Sequence, residues 1–205
     1  MSKIDFKAEF KSLYSASQRD FVLVEVPPLS YLMFDGYGDP NTAPAYQRAV
    51  EALYSLAYTL KFMSKRAFDR DYVVGPLEGL WWAADMTAFT AGRRAEWSWT
   101  MMILQPDWIL PGHLAAAKAE VLMKKGLPGI ESVRLETLAE GQCAQILHIG
   151  PYADEAPTLS RLHNEWLPAH GLAPTGHHHE IYLSDPRRVE PAKLKTLLRQ
   201  PVRKI

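Results

Sequence analysis

Two stretches of this chain write the same structural unit twice, and that repetition constrains the fold more than any other feature. The first runs through Glu25-Val26-Pro27-Pro28, then Tyr31-Leu32-Met33-Phe34-Asp35-Gly36-Tyr37-Gly38-Asp39, then a helix opening at Pro44. The second runs through Glu136-Thr137-Leu138, then Ala144-Gln145-Ile146-Leu147-His148-Ile149-Gly150-Pro151-Tyr152-Ala153-Asp154, then a helix opening near Pro157. Each predicts strand, turn, strand, a glycine-containing Tyr-x-Asp corner and an amphipathic helix. The expected fold class is α+β: pseudo-two-fold duplicated β-α-β-β units forming antiparallel sheets, with helices on one side and a ligand cleft between the copies. The boundaries follow as one domain over 1–205. Copy one covers about 20–106, a linker helix about 107–130, copy two about 131–186 and a C-terminal helix about 190–200.

Local signals fill in the units. Phe6, Phe10, Leu13 and Tyr14 recur at helical spacing and predict a helix over Asp5 to Ala16. Phe21 to Val26 reads as a β-branched strand with Tyr31 to Phe34 as its hairpin partner. Tyr46, Val50, Leu53, Ala57 and Leu60 make one apolar helical face behind Pro44. Tyr72-Val73-Val74 begins another strand, and Leu77 to Ala83 pairs with Ala95 to Leu104 around Gly92. His113 to Lys125 is a helix closed by two lysines and Gly126. Leu159, Leu162 and Trp166 share a face of a helix over Thr158 to His170, and Leu194, Leu197 and Leu198 suggest the last helix.

Charge and cysteine usage narrow the function classes. Twenty-three basic and 23 acidic side chains leave a formal net charge of zero, so no strong field draws nucleic acid or an anionic membrane. The single Cys143 forms no intramolecular disulfide, which suits a reducing compartment. The chain shows neither an N-terminal apolar signal region nor an apolar run near ~20 residues. A soluble cytoplasmic protein is expected, with no membrane and no nucleic-acid partner.

The chemistry concentrates on the strand after Gly176. Side chains alternate along a strand, so His178, Glu180 and Tyr182 share one face, and His177, His179 and Ile181 the other. A carboxylate on a polar and aromatic face is costly to bury without a partner. A cationic ligand or proton transfer would explain Glu180; exposure or a bridge to Arg or His would explain it equally. Adjacent strand histidines point to opposite faces, so His177, His178 and His179 cannot jointly ligate one ion, and no metal or other cofactor is expected. Six Trp, nine Tyr and seven Phe include candidate wall residues for a flat ligand: Phe34, Tyr37, Trp82, Trp97, Trp99 and Met102. Aligning strand ends at Pro106 and Pro186 sets Thr100 and Met102 level with Glu180 and Tyr182. The tryptophans Trp97 and Trp99 then face away from the cleft, and a one-residue slip reverses that assignment. Tyr37 and Tyr152 occupy matched corners beside Asp39 and Asp154, as proton or hydrogen-bond donors or as parts of a turn.

Tyr31 to Pro40, Gly79-Leu80-Trp81-Trp82, His148 to Tyr152 and His179 to Pro186, in that order, resemble the GyrI-like small-molecule-binding domain family. That family also supplies the effector domains of multidrug-responsive regulators, and the likeness is greatest to its stand-alone members. The resemblance implies binding of hydrophobic, aromatic or cationic small molecules, with Glu180 at the position that meets cations. It also implies a hydrolase that opens cyclopropane-bearing, DNA-alkylating compounds with water. Glu180 would orient or deprotonate the water, and Tyr152 or Tyr182 would polarise the dienone carbonyl. A gyrase-inhibitor-type protein-interaction module is the alternative, for which zero net charge offers little support.

Overall fold

The computed structural model describes residues 3–85, 88 and 92–205. The strands are β1 (Val22–Val26), β2 (Leu29–Tyr37), β3 (Glu78–Trp82), β4 (Ser98–Gln105), β5 (Arg134–Leu138), β6 (Gly141–Ile149), β7 (Leu172–Pro174), β8 (His178–Tyr182) and β9 (Lys195–Lys204). The helices are α1 (Phe6–Glu9), α2 (Pro44–Phe68), α3 (Pro111–Lys125), α4 (Ala156–Arg161) and α5 (Leu167–Ala169), with a π turn over Leu162–Trp166 joining the last two. The chain divides into two compact units, one made of residues through Glu9 with Leu29–Leu138, the other of Phe10–Pro28 with Ala139–Ile205.

In the first unit the strands run β3, β4, β2, β5, all antiparallel. Helix α2 opens on Pro44, whose missing N–H costs nothing at that position. Leu53, Leu56 and Leu60 recur at three- and four-residue spacing and are fully buried. Each contributes about 2 kcal/mol of transfer free energy. Helix α3 buries Leu114, Ala117 and Val121 and ends as expected on Gly126, in left-handed geometry with its N–H on the Leu122 carbonyl. Where Tyr72 to Val74 suggested a strand, only a bridge between Ile4 and Tyr72 forms.

In the second unit the order is β8, β9, β6, β1, with β7 on the C-terminal end of β9. Phe21, Ala144, Ile146, Leu162, Leu167, Leu172, Leu198 and Val202 form the core between this sheet and the helical segment after Tyr152. On the opposite face, Arg199 donates to the Leu13 carbonyl and Gln145 to the Ser12 and Ser15 carbonyls. The helix expected over Asp5 to Ala16 stops at Glu9, and the chain continues through turns in which the Phe10 carbonyl accepts from the Leu13 and Tyr14 N–H groups.

Three expectations need correction. The residues expected as a C-terminal helix over 190–200 form a short 3-10 turn and then β9. Every residue from Thr196 to Val202 is buried, so both faces of that strand are covered and no alternation marks it. Strand β1 pairs with β6, not β2, while β5 pairs with β2. Each copy's first strand therefore belongs to the unit built mainly from the other copy. Finally, with β9 a strand, the units correspond as β3, β4, β2, β5 to β8, β9, β6, β1. The counterpart of β8 is β3, and not the strand ending before Pro106. Among the described residues no helix is long and apolar enough to cross a membrane.

Candidate functional site

Strand β8 presents its residues as the period of two requires. His179 and Ile181 are fully buried on one face, while His178, Glu180 and Tyr182 are half-buried on the other. His179 is accounted for by structure: its Nδ1 sits 3.0 Å from Glu140, which also meets Arg199 at 3.3 Å. The His179 and Arg199 charges hold the Glu140 carboxyl down to about 2 against the opposing effect of burial. This buried trio ties the β5–β6 turn to β8 and β9.

The other face has a different character. The Tyr182 hydroxyl donates to Glu180 Oε2 at 2.7 Å, and His178 Nε2 lies 3.5 Å from Glu180 Oε1. Tyr182 is level with Thr196 on β9, and Thr196 with His148 on β6. The Tyr152 ring meets that of Tyr182 edge-on, with centroids 5.6 Å apart. Gly150 makes the approach of Tyr152 possible: at φ 141 it turns the chain beside His148, where a Cβ would lie 3.3 Å from the imidazole. His148 in turn sits 3.1 Å from the Pro151 carbonyl.

A residue that sequence reasoning missed completes the group. Glu155 follows the Tyr152 corner, is 5% exposed, and its Oε1 makes no hydrogen bond. Burial first, and then the charge of Glu180, push its carboxyl far above the usual carboxylate range. The Glu155 carboxyl also lies within hydrogen-bonding reach of the Thr196 hydroxyl, which lowers its pKa, and of Glu180, which raises it. Both ring nitrogens of His178 are buried without hydrogen-bond partners. Burial and the same carboxylates raise the Tyr152 phenol to about 12, so it stays protonated in neutral solution. Burial, then His178, lowers His163. An acidic residue ahead of a helix-opening proline reads as an ordinary helix-start charge, which hid Glu155. The available signal was the contrast between the copies, because the corresponding position after Asp39 is Pro40.

The remaining expected wall residues lie in the first unit. Trp99 is fully buried beneath α2, edge-on to Tyr46 at 5.3 Å, and level with Trp81 on β3. Trp81 meets Trp97 edge-on at 5.8 Å. These rings gather on the helix-bearing face, the same kind of face that carries Glu180 in the second unit. Thr100 is on the opposite face, where it donates to Asp35, and the alternation along β3 and β4 places Trp82 and Met102 there with it. Phe34 is buried near Gly129, and Tyr37 is 62% exposed. Asp39 accepts from Asn41, the turn role open to it in sequence. Among the described residues no three His, Cys, Asp or Glu side chains are grouped to hold a metal ion.

The chain resembles two Listeria innocua structures over its whole length. One is an uncharacterised conserved protein, 41% identical with a TM-score of 0.90, the alignment covering 98% of this chain and all of that one. The other is described as a hydrolase, 40% identical with a TM-score of 0.85 and the same coverage. The C-terminal domain of EcmrR shares the fold at 12% identity and a TM-score of 0.57, covering 91% of this chain and 98% of that one. No curated protein matches. The profile of the GyrI-like small molecule binding domain matches residues 19–203, and with both units and their strand order in place the chain belongs to that family.

Proposed function

We propose that this protein binds hydrophobic, aromatic or cationic small molecules and hydrolyses those in which a strained cyclopropane is conjugated to a carbonyl. Its role is then protective, removing alkylating compounds before they reach DNA. The observation that carries the reading is Glu180, a mostly buried carboxylate held by the Tyr182 hydroxyl at 2.7 Å among polar groups that lack partners. Full-length similarity to a Listeria innocua protein described as a hydrolase supports it.

In this reading water lies against Glu180, and its oxygen bonds to the cyclopropane methylene carbon. The ring C–C bond breaks, and its electron pair passes through the dienone to the carbonyl oxygen. Glu180 accepts the water proton, and protonation of the phenolate completes the addition of one water. Tyr182 has a single proton, which Glu180 already engages, so Tyr152 is the phenol left to donate to the carbonyl. General-base assistance of this kind contributes about 10²–10⁴-fold.

The test is mass spectrometry of a cyclopropane-bearing indole alkylator incubated with wild-type protein and with Glu180→Gln. The reading expects the water adduct from wild type alone. Intact compound in both, or equal adduct from both, overturns it.

A further inference from the structure

Beside Glu180, Glu155 Oε1 and both ring nitrogens of His178 are buried without hydrogen-bond partners, while the Glu155 carboxyl itself meets Thr196 and Glu180. An unpaired buried polar atom costs on the order of 1–3 kcal/mol, and several such atoms in one place mark where a ligand supplies the missing partners. Glu155 is the least expected of them. It sits beyond the Tyr152 corner, with its N–H on the Tyr152 carbonyl at 3.3 Å. Tyr152 packs on Tyr182, and Tyr182 is level with Thr196, so the corner brings a second carboxyl beside the first. Two like charges in one buried site do not coexist, and one of the pair keeps its proton.

We infer that Glu155 is the acid of this site, giving its proton to the carbonyl oxygen of the bound substrate while Glu180 takes a proton from water. This rests on the hydrolytic reading above, in which Tyr152 hydrogen-bonds the carbonyl, and names the source of the proton that converts the phenolate to a phenol. The atoms balance within the site: one proton leaves water for Glu180, one leaves Glu155 for the nascent phenolate, and exchange with solvent restores the pair. The assignment also selects substrate chemistry. A neutral carboxylic acid is a hydrogen-bond donor, so the site favours neutral compounds with a conjugated carbonyl over analogues in which that oxygen is missing. The upward displacement of the Glu155 carboxyl by burial and by Glu180 agrees with the arrangement.

The experiment is the pH–rate profile of ring opening for wild type, Glu155→Gln and Glu155→Asp, using the same indole alkylator, with binding of its ring-opened product measured by calorimetry. Wild type is expected to lose rate on the alkaline side, below the range in which Tyr152 ionises. Glu155→Gln is expected to lose about 10²-fold in kcat with little change in KM, and its alkaline limb vanishes. Glu155→Asp is expected to recover part of the rate. Wild-type kcat in Glu155→Gln, or a slower variant whose alkaline limb persists, overturns the inference. If Glu155→Gln does not bind product because it does not fold, the wild-type profile decides: a rate that stays level into strongly alkaline buffer overturns it. Wild-type protein inert toward the alkylator sinks the hydrolytic reading itself, a different result from an active wild type indifferent to Glu155.

Discussion

Tyr182 donates to Glu180 from two residues along the same strand, at 2.7 Å. A hydroxyl in that position fixes the carboxylate rotamer and occupies one of its oxygens, leaving Oε1 toward His178. Tyr182→Phe removes the bond and keeps the ring that packs on Tyr152. We expect kcat for ring opening to fall about tenfold or more, with a loss of about 1–2 kcal/mol in urea unfolding. An unchanged kcat would mean that Glu180 needs no such anchor.

Glu155 ties stability to pH in a direction opposite to most carboxyls. Its folded-state pKa lies above the ordinary value of 4.5, so above that pH the native state holds a proton that the unfolded chain releases. Raising the pH therefore favours unfolding, by up to about 1.4 kcal/mol per pH unit across the window. Urea midpoints measured at about pH 5 and about pH 8 are expected to drop for wild type and to stay more nearly level for Glu155→Gln. Equal slopes would contradict a proton held on Glu155.

Glu140 works the other way. Its carboxyl is held down to about 2 by His179 and Arg199, so its contribution is complete above the ordinary 4.5 and is lost as the pH falls toward 2. Glu140→Gln leaves Arg199 and His179 buried without their counter-charge, and a loss of about 3–5 kcal/mol is expected at neutral pH. Acid titration of stability should be shallower in the variant. Thermal melts across that range check both statements.

Gly36 lies under the Trp99 ring, and a Cβ there would fall 2.0 Å from its Cη2 atom. Gly36→Ala is expected to cost about 3 kcal/mol, because a fully buried indole has no free space to move into. Placing the same substitution in a Trp99→Ala background should remove most of that penalty. Additive losses in the double variant would show that the two positions do not compete for the same space.

Much of this was legible in the residues. The Tyr-x-Asp corners, α2 behind Pro44, the Gly126 cap and the face shared by His178, Glu180 and Tyr182 all rest on local chemistry and short periods, which a sequence displays directly. Three features were not. Strand β9 is covered on both faces, and its Leu194, Leu197 and Leu198 fall at a spacing that a helix also satisfies. Partner choice for β1 and β5 depends on contacts far along the chain, which no local pattern encodes. Glu155 is functional only through its burial beside Glu180, and burial of a single acidic residue leaves no periodic trace.

The exchange of first strands has a consequence for the growing chain. Strand β1 leaves the ribosome among the earliest segments, yet its partner exists only once synthesis has passed Ile149. Throughout that interval β1 offers an unsatisfied backbone edge to any passing strand. Strand β5 must likewise emerge before the first sheet can close on β2. The first unit is complete in sequence only at Leu138 and the second only near the end of synthesis, so β1 waits through the making of the whole first unit and depends on protection until β6 arrives.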